Sequence, residues 1–580
     1  MDGATAIDWS TGVLHEYVSK SIPKWVGVAP ATRWLASVNT QYNPVFGLVN
    51  VTRDVMGGVV NLTNTPLRKR KMQVLGDVLP ALKGISRDLR GGARNEWSDL
   101  FNQFQDDGGQ TGFKEMFRTA DDRARAIEKE LQAAEGKLTV GKATHAVLDL
   151  LDDFNTALEN AVRLSAYKAG LDEGMSRPAA AKLARELTVD FNRKGRTGRE
   201  LGPLYAFLNA SIQGTARTVQ TLAGPAGAKI VAGGLAIGGL QALMLAFAGF
   251  DKDEPPEWVK TRGLIIPIGG DKRYIVIPLA LGLHVIPNTG RVLTELALYG
   301  GNDAFDRMGR AIGEIAGAFN PLGGGNIFTM DGALRTVMPT VIDPFIELGF
   351  NKNFAGSEIE KRPFNEEGDN RPGFQRARES TLRSTTGQVY LGISKAINTL
   401  TGGNDFEAGA ASPTPERIRY LAQTVGGGLL REMEKAVNAT TKAWQGDDIA
   451  SREIPMAGRF VGQIDPDMAE RARYFESSNK IKKYASSLTA AEKAGADEIA
   501  GKISKKYPEV ELANTLRSAQ ERIRKLNKNA AETINDRDEL ARIDRDRFDE
   551  MKALNAEIKA MERLTRGPTL AEKIRGEDGR

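Results

Sequence analysis

The chain has 580 residues and a mass of 62.9 kDa, too long for one ordinary core, so roughly two to four folded units are expected. It is 41% hydrophobic and 26% charged, which argues against disorder throughout, and Lys plus Arg exceed Asp plus Glu only by 79 to 74, too little to mark a duplex-DNA binder. The absence of cysteine and the presence of only three histidines, His15, His145 and His284, exclude disulfides, thiolate chemistry, cysteine-type zinc sites and most histidine-based catalysis.

The first residues, MDGATAIDWS, carry acidic groups and no basic stretch ahead of an apolar run, unlike a secretion signal. Residues 1–70 read as short helices and loops that end in the basic cluster Arg68, Lys69, Arg70 and Lys71. Beyond a charged stretch, Thr144 reads as the N-cap of a helix with an apolar stripe at Val147, Leu148, Leu151, Phe154, Leu158 and Val162. Gly170 or Gly174, with Pro178 beyond, ends it, and a further helix runs from Arg177 to about Asp190.

Residues 230–250 hold no charge and one polar side chain, Gln241. As a helix they would be about 31 Å long, the thickness of a bilayer's hydrocarbon. Gly234 and Gly238 form a G-x-x-x-G pair for close helix packing, and Leu240, Leu243 and Phe247 supply bulk for lipid or a partner helix. A membrane span and a buried helix both fit this composition. Two apolar runs around a Gly269-Gly-Asp-Lys-Arg273 turn predict a β-hairpin at about 264–278, with proline in both runs favouring edge strands.

Residues 301–415, rich in Gly, Asn and Pro, read as extended, loop-heavy chain with short helices. A helix then begins between Ser412 and Glu416, and Gly426-Gly-Gly428 is expected to stop it. From Glu509 to about Glu562 apolar residues recur at spacings of three and four, with Leu512, Leu516, Ile523 and Leu526 on one stripe. This is a long amphipathic helix or helical hairpin, available for self-association, for a partner helix, or for folding back on its own body. The fold class is mainly α, with one small hairpin, a loop-rich middle and a coiled-coil-like C-terminal part. The expected divisions are 1–140, 141–300, 301–465 and 466–580.

No catalytic set emerges. Gly136–Lys142 resembles a phosphate-binding loop but is followed by Ala143 and preceded by charged helix rather than a buried strand. Asp152 and Asp153, adjacent and so on different helix faces, fit a solvated surface better than a catalytic dyad. No cofactor, metal site or small-molecule substrate is indicated, and the chain reads as a non-enzyme. Arg193, Lys194, Arg196 and Arg199 form the densest basic loop, a candidate contact for DNA or anionic lipid against the plainer reading of a solvated connection.

Several short motifs occur in a defined order: Asp190-Phe-Asn-Arg-Lys-Gly195, the apolar helix at 230–250, Tyr274-Ile-Val-Ile-Pro278, Asn320-Pro-Leu-Gly-Gly324, Asp343-Pro344, Asn351-Lys-Asn-Phe-Ala-Gly356, Ser412-Pro-Thr-Pro-Glu416 and Ile454-Pro-Met-Ala-Gly-Arg-Phe460. This series resembles the large polyvalent protein associated domains of phage and prophage giant proteins, and the C-terminal parts of the ejected internal virion proteins of short-tailed phages. The resemblance implies a protein packed in the capsid and delivered with the genome, which helps build an oligomeric conduit for DNA across the host envelope. Its implied partners are further copies of itself, other ejected virion proteins, the portal and tail, phage DNA as cargo and the host inner membrane. It implies residence in the virion interior, then in the host envelope. The competing expectations are an internal capsid or portal-core structural protein that never meets lipid, and a DNA-binding effector directed at the host.

Overall fold

The computed structural model describes residues 28–110, 140–188, 205, 208–250, 254–269, 272–280, 282–299, 308–309, 311–313, 330–354, 357–360, 371–532, 537–566 and 569–576. These are mainly helical, with one three-stranded antiparallel sheet. Helices α1 (Val28–Asn39) and α2 (Pro44–Leu62) meet at Asn43, whose side chain accepts from the Val45 and Phe46 N–H groups while Pro44 takes the first helical position. Helices α3 (Lys71–Leu89), α4 (Glu96–Asp106), α5 (Val140–Asp172) and α6 (Arg177–Leu187) complete the first body, whose core includes Ile85, Phe101, Phe104, Val162, Leu164 and Tyr167.

Of the α5 stripe, Leu158 and Val162 are buried and Leu148, Leu151 and Phe154 half-buried, and the helix begins at Val140, so Thr144 sits inside it rather than at its cap. The end is as expected, with Gly174 in the left-handed region at φ 84°. Asp152 departs from the solvated surface expected for it: it is 7% exposed, and with Asp153 and Glu159 it lines a cavity of about 110 Å³. Beside it Asn155 Nδ2 donates to the carbonyls of Thr40, Gln41 and Asn43 at 3.0, 2.7 and 3.1 Å, fastening the α1–α2 turn to α5.

The central body starts with α7 (Leu208–Ala223) and α8 (Gly227–Phe247), then α9 (Glu257–Arg262), strands β1 (Gly263–Ile268) and β2 (Arg273–Pro278), and α10 (Val285–Tyr299). Helix α8 includes Lys229 and stops short of the apolar run's end because Gly249 turns left-handed at φ 69°. Because a hairpin intervenes, α8 and α10 run parallel: Gly234 abuts Ile286, Gly238 abuts Pro287 and Arg291, and Ala242 and Ala246 pack with Leu298. A Cβ on Gly238 would lie 1.7 Å from the Pro287 carbonyl oxygen and 2.8 Å from the Arg291 nitrogen. The expected small-residue face therefore exists, and α10 of the same chain occupies it.

Beneath this pair lies a buried ionic cluster. Lys260 Nζ is 2.6 Å from Glu254 and 2.9 Å from Glu257, and Arg291 pairs with Glu257 and, at 2.8 Å, with Glu295. Asn288 orients the set by accepting from Arg291 Nε at 3.2 Å and donating to the Thr261 carbonyl at 2.6 Å. Removing one partner would strand a buried charge, so the cluster fixes α9 and α10 in one arrangement.

The hairpin forms as expected, paired Gly263↔Pro278 to Ile268↔Arg273, with Pro267 on an edge strand, but β2 is the central strand rather than a second edge and carries Pro278 beyond the stretch that pairs with a third strand. A third strand, β3 (Val461–Gln463), closes on β2 through Ile275↔Val461 and Arg273↔Gln463. Between them come α11 (Met330–Val337), α12 (Asp343–Phe350), α13 (Glu379–Arg383), α14 (Thr385–Leu400) and α15 (Pro415–Gln445). The segment expected to be loop-heavy thus contains in α14 a full 16-residue helix, started by Ser384 Oγ accepting from the Gly387 N–H. Nor does Gly426-Gly-Gly428 stop its helix. Gly427 alone leaves helical geometry, at φ 59°, and the helix resumes after a kink in which the Trp34 indole donates to the Val425 carbonyl at 2.9 Å. Buried carboxylates hold these elements: Glu347 receives Arg335 and Tyr420, and Glu434 receives Tyr390, Arg419 and Gln423.

The C-terminal part comprises α16 (Pro466–Lys493), α17 (Asp497–Lys506), α18 (Ala513–Glu532), α19 (Arg537–Arg566) and α20 (Leu570–Ile574). Helices α18 and α19 form the hairpin alternative of the sequence reading. Short α20 returns to the central body, where Ala571 packs on Ala242 and Ala246, and Arg575 donates to the Ala246 carbonyl at 2.7 Å, satisfying an end of α8.

Two consequences can be measured. Gly238→Val must force α8 and α10 apart and is expected to cost about 3 kcal/mol or more. Gly233→Ala, which meets nothing within 4 Å, should be neutral or stabilise by up to about 1 kcal/mol; equal midpoints for the two in denaturant titrations would refute the contact. Burial, then Arg53 and Arg262, hold the His284 imidazole neutral down to about pH 4. The unfolded chain protonates it near 6.5 and so binds more protons between these values, and stability falls as pH drops through that window. His284→Gln should lack this loss. Asp54 and Asp343, raised to about 6 and about 7 mainly by burial, titrate in the opposite sense, so the readout is the parent-minus-variant difference in thermal midpoint from pH 7 to pH 4.

Candidate functional site

The residues singled out in the sequence separate into distinct places. Gly234 and Gly238 lie under α10, and Leu243 is half-buried against the cluster of Ala242, Ala246, Leu298 and Ala571. Leu240 and Phe247 point outward, 56% and 60% exposed, and Ile237 on the same face is 48% exposed. Leu293 on α10, 57% exposed, adds to the apolar surface of this helix pair. Leu516 and Ile523 are buried against Tyr474 and Ile481 of α16 and Met551, Leu554 and Ile558 of α19, Leu512 packs at the edge of that core, and Leu526 is half-buried. Arg193, Lys194, Arg196 and Arg199 lie outside the described residues.

A second feature was not legible in the sequence. A cavity of about 630 Å³ opens between α2, α9, the sheet and the start of α16. Helix α2 contributes Val45, Val49 and Arg53 at spacings of four, one face of the helix. Helix α9 contributes Trp258 and Arg262, again four apart. The chain leading into β3 adds Arg452 and Arg459, and Phe46, Tyr274 and Phe354 supply aromatic wall. The Trp258 and Phe354 rings meet edge to face with centroids 6.5 Å apart.

Four guanidinium groups thus face one space. The two wall carboxylates are committed elsewhere: Glu254 to Lys260 at 2.6 Å, and Asp465 to capping α16 by accepting from the Asp467 N–H at 3.0 Å. Burial, then Arg262, lowers Arg53 to about 10, with Arg459 adding to the effect and Asp54 opposing it. The Arg53 Nε is buried without a hydrogen-bond partner. Neutral His284 registers the same positive field from Arg53 and Arg262. Convergent guanidinium forks of this kind match phosphate or carboxylate oxygens. Among the described residues no group of His, Cys, Asp and Glu could hold a metal ion.

The only sequence trace of this site is the four-residue spacing on α2 and α9, which equally marks any buried helix face. Arg53, Arg262, Arg452 and Arg459 are scattered over the chain and converge only through the fold.

No curated protein and no solved structure matches the chain. The family model of Large polyvalent protein associated domain 38 matches residues 251–457, a stretch that contains Trp258, Arg262, the hairpin, the kinked α15 and Arg452. Residues 251–457 are thus similar to the large polyvalent protein associated domain family.

Proposed function

We propose that the protein is delivered with a phage genome as an internal virion protein and helps form an oligomeric conduit for DNA across the host envelope, with α8 as the element that meets the inner membrane. The observation that carries this reading is the exposure of α8. The helix is long and apolar enough to cross a bilayer, yet only 28% of its most apolar 18-residue window is buried. The core helix of a soluble protein hides most of such a window. Here Ile237, Leu240 and Phe247 stand on one face with no cover among the described residues, and contiguous exposed apolar surface marks a contact with protein or lipid.

The packing limits how that contact is made. Arg291 and Glu295 lie on α10 beside α8, so inserting the pair as it stands would carry their charges into hydrocarbon. In this arrangement the exposed face of α8 rests on the membrane surface, and crossing it requires α8 to part from α10.

Substitutions that test the contact must leave Gly238 in place, since that residue holds the fold. In liposome flotation with vesicles containing anionic lipid, the parent is expected to float, and a variant carrying Ile237→Gln, Leu240→Arg and Phe247→Gln to remain in the soluble fraction with unchanged helicity. If neither floats, the face is covered by protein, and an internal capsid or portal-core structural role replaces this reading.

A further inference from the structure

We propose that the arginine-lined cavity between α2, α9 and β3 binds a nucleotide carrying at least two negative charges, its phosphates held by Arg53, Arg262, Arg452 and Arg459 and its base laid against Trp258 and Phe354. The convergence of four guanidinium groups on one hollow carries the argument. Elsewhere, buried guanidinium groups have carboxylates built for them: Arg291 has Glu257 and Glu295, Arg335 has Asp331 and Glu347, and Arg163 has Glu159. In the cavity Arg53 and Arg262 are half-buried and Arg452 and Arg459 exposed, and none of the four forms an ion pair or side-chain hydrogen bond with the described protein, although all border one shared space. Asp54 and Glu432 lie near enough to Arg53 and Arg459 to act on them but form no hydrogen bond with them, so guanidinium N–H groups are left for an anion that enters.

The walls narrow the chemistry of that anion. A bare oxyanion needs only donors, whereas Val45, Val49, Val259 and Val276, with the Trp258 and Phe354 rings, present apolar and aromatic surface beside the charges. A planar ring attached to phosphates uses both halves: guanidinium forks take the phosphate oxygens, and the aromatic edge takes the ring. The volume, about 630 Å³, lies within the range of small-molecule sites. A free nucleoside polyphosphate and a few nucleotides of a single strand present the same groups. The inference goes beyond the membrane reading and does not depend on it.

Isothermal titration of the full chain with ATP, with inorganic pyrophosphate and with a five-residue thymidine oligonucleotide tests the proposal. ATP or the oligonucleotide is expected to bind, at least tenfold more tightly than pyrophosphate, and whichever binds more tightly identifies the source as free nucleotide or strand. Arg53→Gln with Arg262→Gln should weaken that binding at least tenfold while leaving the thermal midpoint equal or higher, because the pair repel each other. Trp258→Leu should weaken ATP or oligonucleotide but not pyrophosphate. Arg193→Gln with Arg196→Gln, in the stretch of densest basic charge, should leave the affinity unchanged. The proposal is overturned if none of the three probes binds, if pyrophosphate binds as tightly as the nucleotides, or if the variant at Arg193 and Arg196 loses binding and the cavity variant keeps it.

Discussion

At Gly238 the backbone of α8 touches the backbone of α10, and hydrogen is the only side chain the contact admits. Most of the central body is arranged around that touch. It lets two helices run parallel at close range, places Arg291 over Glu257 and Glu295, and so holds α9 through Lys260. Helix α9 in turn carries Trp258 and Arg262 into the cavity and leads directly into β1. The same pairing leaves the opposite side of α8 uncovered among the described residues. One close approach thus sets both features with functional potential, the apolar face and the charged hollow.

The ionic cluster beneath the helix pair restricts how the central body can move. Buried pairs contribute little net stability against an apolar substitute, but breaking one strands a charge. Motion of α10 relative to α9 is therefore costly, whereas α8 presents to its neighbours mostly small and apolar side chains and one buried amide, Gln241. Unlike α9 and α10, α8 forms no ion pair among the described residues, so its departure would break none and would cost Arg575 its bond to the Ala246 carbonyl.

What the sequence disclosed follows the range over which each signal acts. The α5 stripe, the α8 run and the hairpin are local patterns, and all three are present, with α8 displaced toward its start because Gly249 ends it. Strand β3 is three residues long, too short for any periodicity, and is defined by what it pairs with. The Gly426-Gly-Gly428 run signalled a break in helix geometry, but only the packing of Val38 and Asn43 against Gly427 and Gly428 explains why the helix resumes. The C-terminal stripe was plain, yet its cover includes Tyr474 and Ile481 from α16, a helix without a marked apolar face of its own. The cavity was hardest to foresee, since charge density along the sequence pointed to Arg193–Arg199 while the converging arginines are dispersed.

The strand pairing of Ile275 with Val461 has a temporal side. The hairpin can form as soon as residues 263–278 exist, but Arg452, Arg459 and the third strand come from far later in the chain, and closing so long a loop carries an entropic cost before the contact rewards it. The hollow is therefore absent from any chain in which β3 has not docked, however complete its helices. Whenever the protein is unravelled and refolds, this hollow returns only when β3 docks again on β2, so its occupancy would report that this long-range contact has re-formed.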